Sequence, residues 1–113
     1  MGKSQSILNN FNSIKNERFN TSKARDYLRD ARTITKEDQT TTLTSMVMYS
    51  FDNDPSYAEF RKTYVHKGNN AQEKAKECLT ALKKELWETE QRLIVNMIIY
   101  AFENDPKYKQ QKQ

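Results

Sequence analysis

An all-α fold, a compact helical bundle of about five to six helices, is what this chain of 113 residues predicts. Three observations predict it. The chain has only 2 Gly and 2 Pro, whereas a β protein needs turn residues at short, regular intervals. Apolar residues recur at three- and four-residue spacing, the mark of amphipathic helices. Part of the sequence also occurs twice. Tyr49-Ser50-Phe51-Asp52-Asn53-Asp54-Pro55-Ser56-Tyr57 returns 51 residues later as Tyr100-Ala101-Phe102-Glu103-Asn104-Asp105-Pro106-Lys107-Tyr108. The register extends backward without a gap, pairing Lys23-Ala24 with Lys74-Ala75, Leu28 with Leu79 and Met46 with Met97. Such self-similarity reads as an internal duplication. Its period is too long for tetratricopeptide or ankyrin repeats, and their signature residues are missing.

At this length the chain reads as a single helical domain, 1–113. Within it the expected parts are an N-terminal helix over about 4–16, a first repeat over about 21–68, a second over about 72–108 and a basic tail, 107–113. The opening helix would turn Ile7, Leu8, Phe11 and Ile14 to one side. Ala24, Tyr27, Leu28, Ala31 and Ile34 form the stripe of helix A over 21–35, with Thr21 or Ser22 as its N-cap. Thr35-Lys36-Glu37-Asp38 resembles a capping box and would start helix B, which runs to about Phe51 with Leu43, Met46, Val47 and Ser50 inward. A residue before proline avoids the helical region, so the repeated Asn-Asp-Pro ends the helix near Asp52 in the first copy and near Glu103 in the second. Asp54 and Asp105 then cap the next helix in each case, with Pro55 and Pro106 in its first turn. Helix C would cover 55–66, stopped by Gly68.

The second repeat carries Ala75, Cys78, Leu79 and Leu82, extended by Leu86, as helix A′, and Leu93, Ile94, Met97, Ile98 and Ala101 as helix B′. No breaker separates them, so one long helix over 71–103 is the expected form there. After Pro106 the chain is too short to complete a second helix C. Two such units would pack about a pseudo-two-fold axis with their apolar faces inward.

Charge is unevenly placed. Residues 1–36 hold 8 basic and 3 acidic groups, residues 37–106 hold 8 and 12, and residues 107–113 hold 3 and none, which sums to the net +4. No run of about 18 apolar residues is present to span a membrane. A single thiol, Cys78, fits a reducing, cytoplasmic setting and reads as an inert core residue.

The residue types constrain the chemistry. His66 is the only histidine, which leaves too few imidazoles for a histidine metal cluster, and nothing supplies the third group of a Cys-His arrangement. Asp52, Asp54 and Ser56 mimic the first ligands of a calcium loop, but Tyr57 stands where that loop needs glycine and Thr63 where it needs a bidentate Glu. No enzyme and no cofactor are therefore expected. A basic stripe is the main candidate site. Arg18, Arg25, Arg29, Arg32 and Lys36 succeed one another at spacings of 7, 4, 3 and 4, one face of a helix. Trp87, unmatched in the first repeat, is a candidate contact anchor. Met1-Gly2-Lys3-Ser4-Gln5-Ser6 fits the pattern for myristoylation of Gly2.

The expectation is a non-enzymatic protein-interaction module, with a protein partner or a second copy of itself. Its Asn-, Lys-, Gln- and Thr-rich composition suits a small accessory or inhibitory protein of a phage or mobile element. The alternatives are a nucleic-acid binder using the basic face with Lys107, Lys109 and Lys112, and a membrane-associated adaptor if Gly2 carries a lipid.

Overall fold

The computed structural model describes residues 20–111. Gly2, the expected helix over 4–16, Arg18 and Lys112 lie outside them. The described residues form six α-helices and one 3-10 turn, with no strand: α1 Thr21–Thr35, α2 Gln39–Asn53, the turn Pro55–Tyr57, α3 Ala58–Thr63, α4 Ala71–Leu86, α5 Glu90–Asn104 and α6 Pro106–Gln111.

Each long helix starts where a side-chain oxygen takes up an amide that the first turn leaves unbonded. Asn20 accepts from Lys23 N at 2.9 Å, Asp38 from Thr41 N at 2.7 Å, Asn70 from Glu73 N at 2.9 Å and Thr89 from Arg92 N at 3.2 Å. The cap of α1 is thus Asn20, not the expected Thr21 or Ser22, and Thr21 is buried instead. Thr35 does not open α2. Its hydroxyl donates back to the Ala31 carbonyl at 3.0 Å and accepts from Glu37 N at 3.3 Å, so it closes α1.

The continuous helix expected over 71–103 does not form. Trp87 takes left-handed backbone angles, φ 56 and ψ 40, ends α4 and reverses the chain into α5. Lys36, at the corresponding place after α1, does the same with φ 61 and ψ 31. An unbroken helix of that length would be about 50 Å long, whereas the longest extent of the molecule is 40 Å. Folding at Trp87 lets α4 and α5 both lay their apolar faces on the first half of the chain. The spacing of apolar residues survives such a reversal and so does not reveal it.

Helix C is also shorter than expected. It is a 3-10 turn followed by α3, and it ends at Tyr64, whose backbone is extended. Gly68 is not its stop. There a Cβ would lie 2.6 Å from the Cβ of Glu73, so glycine lets the connecting segment lie close on α4. The expected caps after both Asn-Asp-Pro runs are present: Asp54 accepts from Ser56 N and Asp105 from Lys107 N, each at 2.9 Å. The second run leads into α6, a helix of six residues, the same length as α3.

α2 and α5 form the centre. α1 packs more extensively on α5 than on its neighbour α2, and α4 more on α2 than on α5. The two halves are therefore interlocked. Fully buried Met46, Val47, Leu82, Val95, Met97 and Ile98 meet in the interior, each large side chain contributing about 1.5–3 kcal/mol by leaving water. The repeated tyrosines Tyr49 and Tyr100 stack between α2 and α5, with ring centres 6.2 Å apart. Phe51 packs its ring on Tyr57, Phe60, Tyr64 and His66, and Phe102 packs on Tyr27 and Tyr108.

Candidate interaction surface

α4 turns Ala75, Cys78, Leu79 and Leu82 inward. Leu86, expected to extend that stripe, is partly exposed, because the helix ends there and the chain turns away. Trp87 comes next and is 92 % exposed. Its left-handed backbone is held by its own N–H to the Lys83 carbonyl and by Glu88 N to the same oxygen at 3.3 Å. The charged neighbours pair with one another: Lys83 with Glu90 at 4.0 Å and Arg92 Nε with Glu88 at 3.3 Å. Among the described residues no hydrogen bond or ring contact holds the indole, which stands out from a corner of the bundle.

The described part of the basic stripe lies along one helix and its end. Arg25, Arg29 and Arg32 are exposed along α1, and Lys36 is exposed at its end. The face is not purely positive. Arg29 meets Asp26 at 3.2 Å and Asp30 at 3.4 Å, exposed pairs worth at most about 1 kcal/mol. Asp38 is held below the usual carboxylate range, chiefly by its hydrogen bond from the Thr41 amide, with the Arg32 charge adding to the effect.

The structure brings Cys78 and His66 together, with Sγ 3.9 Å from Nδ1. Burial pushes the Cys78 thiol up to about 12, whereas a thiolate nucleophile needs the opposite shift. The imidazole packs edge-on to Phe51 and Tyr64, as part of an aromatic cluster. Among the described residues no three His, Cys, Asp or Glu side chains are grouped to hold a metal ion, and no helix is long and apolar enough to cross a membrane.

Sequence reasoning missed Val65, which is 71 % exposed in the segment that links α3 to α4. No periodic signal identifies it, because that segment is not helical. Comparison with protein-family models, with curated proteins and with solved structures gives no match.

Proposed function

We propose that this chain is a non-enzymatic helical protein-interaction module, with Trp87 as the anchor of its partner contact. The observation that carries this reading is a tryptophan that is 92 % exposed while held at φ 56. A bulky side chain in the left-handed region costs stability, and an exposed indole returns nothing to the fold. On docking it would bury about 150–250 Å², and tryptophan is over-represented among residues that dominate binding energy. The setting suggested by size and composition is an accessory or inhibitory protein of a phage or mobile element. The 51-residue correspondence, matched by like corners at Lys36 and Trp87, supports descent from an internal duplication.

The test is affinity capture from the native host with wild type and Trp87→Ala, in lysates with and without nuclease. A protein retained by wild type, resistant to nuclease and lost with Trp87→Ala is the expected result. Retention that Trp87→Ala leaves intact removes Trp87 as the anchor.

A second reading, nucleic-acid binding, is favoured by one observation: Arg25, Arg29, Arg32 and Lys36 are exposed together on α1. Phosphate contacts make affinity fall steeply with salt. Nucleic-acid binding that survives Arg29→Glu with Arg32→Glu would end that reading.

A further inference from the structure

Three large apolar side chains stay exposed among the described residues: Val65 in the segment before α4, Leu86 at the last residue of α4 and Trp87 just after it. Singly such residues mean little, and of the three Val65 is the one that lines a groove. Tyr64 and Val65, with Ala81 of α4, line a groove of about 500 Å³. Lys67, Lys76 and Lys84 stand around it. Along α4, Lys76, Thr80 and Lys84 recur at four-residue intervals, and Trp87 comes three residues further on.

The one carboxylate lining the groove is Glu77, and it is already committed. Its Oε1 accepts from the backbone amides of Lys67 and Gly68, both at 3.0 Å, and ties the connecting segment to α4. Among the described residues no ion pair joins Lys67, Lys76 or Lys84 to a carboxylate. Other exposed lysines do find one, as Lys23 does with Glu103 at 3.3 Å and Lys62 with Glu59 at 3.2 Å. The groove therefore has apolar side chains beneath a rim of three lysines that form no ion pair among the described residues, and with Glu77 as the one carboxylate in its lining it stays net positive.

We infer that this groove docks an acidic peptide segment of a protein partner, with carboxylates on Lys67, Lys76 and Lys84 and an apolar side chain against Val65. The inference rests on the reading of the chain as a protein-interaction module and specifies the partner's chemistry. Charge complementarity sets the sign of the partner. The apolar lining selects peptide over nucleic acid, because a phosphate backbone would answer the lysines but would leave Val65 and Ala81 uncovered. Lysine ammonium groups act as point charges and need no planar fork from their partner.

The experiment is selection from a random displayed-peptide library on the immobilised full chain. Enriched peptides are then titrated against wild type, Val65→Asp and Lys76→Glu with Lys84→Glu, each variant checked for helical content by circular dichroism. Val65 and both lysines are exposed, so these variants keep the core. The expected result is enrichment of peptides that combine Asp or Glu with apolar residues, and affinity that falls roughly tenfold or more in each variant.

Three outcomes overturn the inference: no enrichment, enrichment of peptides without acidic residues, or acidic peptides that bind Val65→Asp as well as wild type. An oligonucleotide that binds through the lysines with no effect of Val65→Asp also overturns it. If the groove fails while Trp87→Ala still abolishes capture of a protein from the native lysate, the module reading stands without this docking site. If both fail, the module reading falls as well.

Discussion

Tyr49 and Tyr100 exchange hydrogen bonds between the C-terminal ends of α2 and α5. The Tyr49 phenol donates to the Asn104 carbonyl at 3.3 Å, and the Tyr100 phenol donates to the Asn53 carbonyl at 3.2 Å. Each asparagine side chain then donates within its own helix: Asn53 Nδ2 to the Tyr49 carbonyl at 2.9 Å and Asn104 Nδ2 to the Tyr100 carbonyl at 2.8 Å. Carbonyls at helix C-termini lack partners within the helix, so α2 and α5 each supply the other's missing donor. Both tyrosines are half-buried, so Tyr49→Phe and Tyr100→Phe should each lower stability by about 0.5–1.5 kcal/mol, near the low end. Urea denaturation of the two variants checks this. A loss confined to one of them would show that the exchange is not balanced.

Trp87 and Lys36 both carry a penalty for their left-handed backbone that glycine would avoid. Trp87→Gly should therefore stabilise the fold by about 1 kcal/mol, and Lys36→Gly by a similar amount. Under the proposed function only the first of these would also abolish partner binding. Denaturation midpoints paired with a binding assay read both effects. A destabilised Trp87→Gly would mean that the indole supports the fold, and the case for it as a contact anchor would weaken.

Ser50 is fully buried and its hydroxyl has no hydrogen-bond partner among the described residues. The corresponding residue in the second stretch is Ala101, also fully buried. Ser50→Ala removes a desolvated hydroxyl without changing the shape of the site, and should stabilise by about 1 kcal/mol. Its neighbour Phe51 gives the opposite case. Its ring touches four other rings, so Phe51→Ala should cost about 3–5 kcal/mol. Thermal melts of the two variants should move in opposite directions.

Alkaline pH should unfold the protein from a predictable point. Burial raises Cys78 from 9.0 to about 12, and Tyr64 and Tyr108 from 10.0 to about 12. Each group holds its proton more tightly when folded. The associated stability is complete below the unfolded values and is lost as pH rises through the folded ones. Stability should thus hold up to pH 9.0 and fall between there and 12. Cys78→Ala should delay the onset toward 10.0, where the tyrosines begin. Denaturant midpoints across this range are the measurement, and a midpoint that stays flat up to 12 would contradict the burial of these groups.

The helices were legible because their cause is local. Three- and four-residue apolar spacing marks α1, α2, α4 and α5 directly, and proline chemistry places the ends near Asp52 and Glu103, one residue short of Asn53 and Asn104 where α2 and α5 stop. The break at Trp87 was not legible, because no local signal marks a tryptophan as the residue that takes a positive φ. Lys36 at the matching place offered a hint, since Thr35 and Asp38 already marked a break there. The site was half legible. The positive face of α1 comes directly from residue spacing, and Trp87 stood out by lacking a counterpart. Val65 could not be read at all, since it gains its place only when an irregular segment folds back onto α4 through the Glu77 hydrogen bonds.

Contact between the Trp87 corner and a protein can be captured by replacing Trp87 with a photo-crosslinking amino acid and irradiating the chain in its native lysate. One dominant protein adduct that persists after nuclease treatment and disappears when unlabelled wild type is added in excess is the expected result. Crosslinks only to nucleic acid, or no adduct that wild type can displace, would contradict it.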